Sequence, residues 1–215
     1  MSTGRHVLVM AKAPVAGRVK TRLCPPCSFE EAAAVAEAAL ADTLAAVAAC
    51  GAERKVVALA GEPGPWLPPG FEVVAQRGDG LDERLAHAWA AAAGPGLQIG
   101  MDTPQVGPDR LDHLLAVMDT VPDAALLGPA HDGGWWVIGL PGGDPGAVFR
   151  GVPMSTPRTG LLQERRLRQL GFDIVHAGVE RDIDTVADLV AVSAVAPWLR
   201  TAALVDELGL DERVA

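Results

Sequence analysis

Short apolar runs alternate with longer stretches of helical periodicity along almost the whole chain, and few folds satisfy that alternation. Val7–Met10, Lys55–Ala60, Phe71–Ala75, Leu97–Gly100, Ala124–Leu127, Trp135–Leu140 and Phe172–Val175 read as strands, bounded by Gly and Pro. Between them, residues 29–50, 81–92, 108–118, 159–170, 186–192 and 198–208 read as helices. Ser28 with Glu30 and Glu31 signals the start of the first helix, and Gly51 its end. The expected architecture is α/β with a mostly parallel central sheet. The sheet is mixed because the Trp135 strand returns directly after Gly133-Gly134. At 215 residues, with no repeat and no linker, the expectation is one domain over residues 1–215.

Apolar residues make up 49% and charged residues 21%, so the chain can build a packed core and is not globally disordered. Only 4% is aromatic, which leaves Ala, Val and Leu to fill most of that core. The net charge of −9 argues against coating nucleic acid, where Lys and Arg must neutralise phosphates. Yet residues 1–22 carry Arg5, Lys12, Arg18, Lys20 and Arg22 and no acid. That stretch is +5, leaving −14 elsewhere, a pattern suited to presenting positive charge to a compact anion. The apolar stretch His6–Met10 is too short for a signal sequence, and no run of about 20 apolar residues follows. The expectation is a cytoplasmic protein with no membrane partner. Cys24, Cys27 and Cys50 form no disulfide framework, and Cys24-Pro-Pro-Cys27 lacks the second pair that a zinc site needs.

In open α/β sheets, ligands sit at the carboxyl ends of the strands, near the point where strand order reverses. Each polar cluster of this chain falls at such an end. After the first strand comes Lys12-Ala-Pro14-Val-Ala-Gly17-Arg18-Val-Lys20-Thr21-Arg22. Gly17 frees the backbone for a tight turn, and the cations suit a di- or triphosphate, although the spacing is neither a Walker loop nor a dinucleotide loop. Asp102 follows the fourth strand, where a carboxylate can hold a hard divalent cation. Asp182 and Asp184, two apart in extended chain, point to one side and offer further carboxylates; Asp184 also stands where it could cap the next helix. His131-Asp132-Gly133-Gly134 follows the fifth strand, with Asp132 placed to bond a hydroxyl. Trp135 and Trp136 point to opposite faces if the segment is a strand, so at most one can line the pocket and the other is expected in the core.

Taken in order, Lys12-x-Pro14-x-x-Gly17-x-Val19-Lys20-Thr21-Arg22-Leu23, Gly100-x-Asp102-x-Pro104, Asp132-Gly133-Gly134-Trp135 and Asp182-x-Asp184-Thr185 resemble a known family. This is the family of glycosyltransferase-like proteins related to 2-phospho-L-lactate guanylyltransferase, and the resemblance spans roughly residues 6 to 192. It implies a three-layer GT-A, or nucleotide-diphospho-sugar transferase, fold that uses Mg²⁺ or Mn²⁺. By the same resemblance Lys12, Arg18, Lys20 and Arg22 hold nucleotide phosphates, and Asp102, with Asp184 or Asp182, holds the metal. From the residues themselves, Gly17 is expected to bring backbone N–H groups to the phosphates, and Asp132, Gly133, Gly134 and Trp135 to face the acceptor or sugar. His131, Met101 and Thr103 depart from residues common in the family.

The expected partners are a nucleoside triphosphate or nucleotide-sugar and a small acceptor. The density of cations favours nucleotidyl transfer with pyrophosphate leaving, in which Lys20, Asp102 and Asp184 act at the reacting atoms. Glycosyl transfer from a nucleotide-sugar and a non-catalytic nucleotide-binding module are the alternatives.

Overall fold

The computed structural model describes residues 5–213. Seven strands form one sheet: β1 (His6–Lys12), β2 (Arg54–Ala60), β3 (Glu72–Ala75), β4 (Gly96–Gly100), β5 (Ala125–Pro129), β6 (Trp135–Leu140) and β7 (Ile174–His176). Their spatial order is β3-β2-β1-β4-β6-β5-β7. Only β6 runs antiparallel to its neighbours β4 and β5; all other pairings are parallel. The helices are α1 (Phe29–Ala49), α2 (Leu81–Ala92), α3 (Pro108–Thr120), α4 (Pro145–Phe149), α5 (Thr159–Gln169), α6 (Val186–Val195) and α7 (Arg200–Leu208), and a 3-10 turn spans Thr21–Leu23.

Alternation along the central strands sends side chains to both faces, and both faces are covered. On one face Val7, Val9, Leu97 and Ile99 pack with Leu40, Leu44 and Val47 of α1 and with Leu111, Leu114 and Met118 of α3. On the other, Leu8, Val56 and Ile138 pack with Leu85 and Trp89 of α2, Phe149 of α4 and Leu167 of α5. The result is the three-layer sandwich expected from the sequence.

A third cluster explains the Ala-rich composition of α1. Ala32 and Val35 pack away from the sheet against Val186, Leu189 and Val192 of α6 and Val205 of α7. Buried on two sides, α1 carries small residues where helices approach closely. Its length and apolarity are those of a membrane-crossing helix. Here Asp42, within it, instead accepts hydrogen bonds from the backbone N–H groups of Arg200 and Thr201 at the start of α7 (3.2 and 2.9 Å). The last helix begins at Arg200, later than the expected Trp198, and Trp198 is 75% exposed. The chain also forms α4, a short helix that the sequence pattern does not announce, started by Asp144, which accepts from the Gly146 N–H (2.8 Å).

From β1 the chain crosses to β2 on one side, while β4 lies on the other. The switch point is therefore between β1 and β4, and the loops after both strands open onto one crevice.

Candidate functional site

A cavity of about 710 Å³ lies over that crevice. It is bordered by Lys12, Arg18, Lys20 and Arg22 from the loop after β1, Asp102 after β4, and Asp132, Gly134 and Trp135 at the β5–β6 turn. Asp182 and Asp184 border it from the segment between β7 and α6. Of the residues expected at the site, Gly17 and Gly133 do not border it; both shape the backbone beside it. Gly17 has φ +73° in the turn of the cation loop. Gly133 has φ +86°, and a Cβ there would collide with the Pro157 carbonyl. That close approach lets the Gly160 N–H at the start of α5 donate to the Gly133 carbonyl (2.9 Å).

Lys20 is the pivot of the cation loop. Its backbone is left-handed, φ +48° and ψ +32°, a conformation that costs a non-glycine residue of order 1–3 kcal/mol and concentrates at functional positions. Its side chain is only 7% exposed and reaches both the Asp102 carboxylate and the Ile183 carbonyl. The Ile183 N–H in turn donates to the Asp102 carbonyl (2.8 Å). Ile183, fully buried, thus ties the Asp182–Asp184 segment to Asp102 through its N–H and to the cation loop through its carbonyl. Arg22 donates to Asp184 Oδ2 at 2.6 Å. Lys12 and Arg18 pair with no carboxylate among the described residues.

Asp132, Asp182 and Asp184 each bring a carboxylate oxygen within 4.8 Å of the others. The chain achieves this by running the post-β7 segment alongside the end of β5. Ala130 and Glu180 form a parallel bridge, and the His131 N–H donates to the Glu180 carbonyl (3.0 Å). Gln105 adds hydrogen bonds to the Arg181 carbonyl (2.7 Å) and Glu180 Oε2 (3.2 Å). Asp132 Oδ1 accepts from the Gly134 N–H at 2.7 Å, which fixes the turn. Burial pushes the Asp182 carboxyl up to about 6, and the charges of Asp132, Asp184 and Asp102 push the same way. Three hard oxygen donors that repel one another in this manner fit a divalent cation such as Mg²⁺ or Mn²⁺, whose charge would reverse the effect.

Asp184 does not cap α6. Thr185 does, with a capping box closed by Asp188, so the Asp184 carboxylate is not spent on the cap and borders the cavity, paired with Arg22. Arg181 turns away to pair with Asp188 (2.8 Å). Trp135 packs on the α2 face, while the Trp136 indole is buried on the other and donates to the Gly178 carbonyl (3.0 Å). The alternation holds, but both Trp135 and Trp136 border the cavity, against the expectation of at most one, because the cavity lies at the end of the sheet where both faces meet it. Asp102 lies outside the group of three, paired with Lys20 instead. The sequence pattern assigns Asp132 only an acceptor-facing part, because 50 residues separate it from Asp182 and nothing local announces the bridge at Ala130. It also passes over Gln76, Arg84, Gln98 and Met154, which border the cavity. Gln98 has a signal, as a polar residue inside an apolar strand.

Comparison with known proteins agrees with this architecture. Residues 32–156 match the family described as uncharacterized protein conserved in bacteria (DUF2064). The chain is 32% identical over 207 residues to phosphoenolpyruvate guanylyltransferase of Thermomonospora curvata, covering 92% of this chain and 87% of that one. Among solved structures, a candidate nucleotide-diphospho-sugar transferase from Desulfovibrio desulfuricans superposes with a TM-score of 0.87. It is 25% identical, with 99% of this chain and 98% of that one covered. The 2-C-methyl-D-erythritol 4-phosphate cytidylyltransferase of Thermus thermophilus shares the fold, with a TM-score of 0.54 at 18% identity over 92% of this chain and all of that one. The chain belongs to the DUF2064 family and is a transferase of the nucleotide-diphospho-sugar transferase fold.

Proposed function

We propose that the protein is a metal-dependent nucleotidyltransferase, moving a nucleoside monophosphate from a triphosphate to a small phosphorylated or hydroxylated acceptor. The observation that carries this reading is the facing of two opposite charge clusters across one cavity. Four cations of a single loop border the same cavity as the Asp132, Asp182 and Asp184 carboxylates, and two of them, Lys20 and Arg22, already pair with Asp102 and Asp184. A nucleoside triphosphate with a divalent cation supplies the charges that both clusters lack. The guanylyltransferase relative makes GTP and phosphoenolpyruvate the first pair to test.

In the reaction, an acceptor oxygen, anionic in a phosphate or giving up its proton to solvent in a hydroxyl, forms a bond to the α-phosphorus while the bond from that phosphorus to the α–β bridging oxygen breaks. Pyrophosphate leaves with the electron pair. Lys12 and Arg18 draw the phosphates in by charge. Lys20 and Arg22 exchange their carboxylate partners for the oxygens of the leaving pyrophosphate, where charge accumulates. Arg22 can grip two oxygens at once, while Lys20, its ammonium held beside the Ile183 carbonyl, acts as a point charge. Asp132, Asp182 and Asp184 would hold Mg²⁺ or Mn²⁺, with Asp102 as a fourth acid beside them. When bound, the ion supplies charge neutralisation on phosphate oxygens. Asp132, Gly134 and Trp135 and the segment Met154–Thr156 also border the cavity, and the acceptor would bind against them.

The match to a candidate nucleotide-diphospho-sugar transferase supports a second reading, in which a nucleotide-sugar is the donor. One assay separates the two. Purified protein is incubated with GTP, phosphoenolpyruvate and Mg²⁺, and in parallel with nucleotide-sugars, while pyrophosphate and nucleoside diphosphate are quantified. Nucleotidyl transfer requires acceptor-dependent pyrophosphate release that EDTA abolishes. Release of nucleoside diphosphate from a nucleotide-sugar, with no pyrophosphate from any triphosphate, would overturn it in favour of glycosyl transfer.

A further inference from the structure

Gln98 lies in the middle of β4, between Leu97 and Ile99. Its register partners, Leu8 on β1 and Ile138 on β6, belong to the core on the α2 face of the sheet, so Gln98 faces the same way. It is 1% exposed, yet its side-chain oxygen has no hydrogen-bond partner. Buried polar atoms are nearly always paired, and one that is not calls for an explanation. A Leu of similar size would pack there without that cost.

The explanation lies above it. Gly100, two residues on and on the same face, contributes no side chain; a Cβ added there would meet only the Asp102 nitrogen within 4 Å, at 3.8 Å. The gap leaves Gln98 bordering the cavity, beneath the level of Asp102 and the cation loop. Around it the cavity is bordered by Met10, Leu85 and Trp135, which pack on this face of the sheet. An uncharged amide among apolar walls suits neither phosphate nor carboxylate, which belong with the cations at the rim. It suits an uncharged group that both donates and accepts, such as a ribose hydroxyl or the edge of a nucleobase.

We infer that Gln98 is a specificity residue that hydrogen-bonds the nucleoside part of the bound triphosphate; this rests on the nucleotide-transfer reading above. The substrate completes the hydrogen bonding that the protein alone leaves unmet at this amide.

Calorimetric titration of the unmodified protein and of Gln98→Leu, each with Mg²⁺, tests the inference using GTP, dGTP, ATP and inorganic triphosphate. The unmodified protein should prefer GTP over dGTP if the ribose is held, or over ATP if the base edge is. Gln98→Leu should bind GTP about tenfold more weakly and lose that preference, while inorganic triphosphate binds as before. The ligand-free variant should also melt roughly 2–4 °C higher, because an unpaired amide has left the interior. A structural amide would give the opposite shift. Retained GTP affinity and preference, or equal weakening of inorganic triphosphate, would overturn the inference and leave nucleotide transfer standing. No binding of any nucleotide by the unmodified protein would overturn both. Should Gln98→Leu fail to fold, Gln98→Met carries the same comparison.

Discussion

Individual side chains in this protein do two kinds of electrostatic work, and His6 shows the less visible one. It opens β1, is fully buried, and meets the Trp89 ring edge-on at 4.9 Å between centroids. Burial first, and then the charge of Arg54, lowers its pKa from 6.5 to about 4, against the smaller opposing effects of the Ala93 backbone and Glu72. In the unfolded chain His6 takes up a proton below about 6.5, while in the folded protein it resists protonation down to about 4. Its contribution to stability is therefore complete above pH 6.5 and is lost as pH falls toward 4, by up to about 3 kcal/mol. His6→Phe should flatten the pH dependence of urea-unfolding free energy across that window. An unchanged slope would mean that other groups set it. Lys20 and Arg22 do the second kind of work, pairing with Asp102 and Asp184; under the proposed function they would exchange those acids for phosphates.

At the scale of elements, the site depends on where helices begin. The Thr185 hydroxyl accepts from the Asp188 N–H at 3.3 Å, and the Asp188 carboxylate accepts from the Thr185 N–H at 3.0 Å. This box starts α6 immediately after Asp184, and so fixes the stretch that carries two of the three clustered acids. Thr185→Ala should lower stability by about 1 kcal/mol, roughly 2–4 °C in Tm, and should weaken Mn²⁺ binding measured by calorimetry. A fall in Tm with unchanged Mn²⁺ affinity would show that the cap serves the helix alone. The Ser28 signal with Glu31 is legible because a capping box is local, and the structure has it at the expected place. The Thr185 box is equally local, yet the sequence points as readily to Asp184 as the cap, since both residues have side chains able to cap.

The whole molecule is held together across its site. Lys20 reaches Ile183, 163 residues further along the chain, and Arg22 reaches Asp184. A ligand that bridges the two clusters should therefore fasten β1, β4 and the segment before α6 at once. GTP with Mg²⁺ at about 100 times its dissociation constant should stabilise the fold by roughly 2.7 kcal/mol, or about 5–10 °C in thermal melts. No shift with any triphosphate would remove the phosphate-loop assignment. The sequence by itself determined the alternation of strands and helices, the antiparallel return after Gly133-Gly134 and the loops that carry the cations and acids. Each of those depends on residues that are neighbours in the chain, through periodicity, turn residues and caps. Only the tertiary structure decided that Asp132 joins Asp182 and Asp184 while Asp102 pairs with Lys20, and that Gln98 looks into the cavity past Gly100. Those relations arise from strand order and register, which bring distant segments side by side by burying apolar faces that no local pattern can pair in advance.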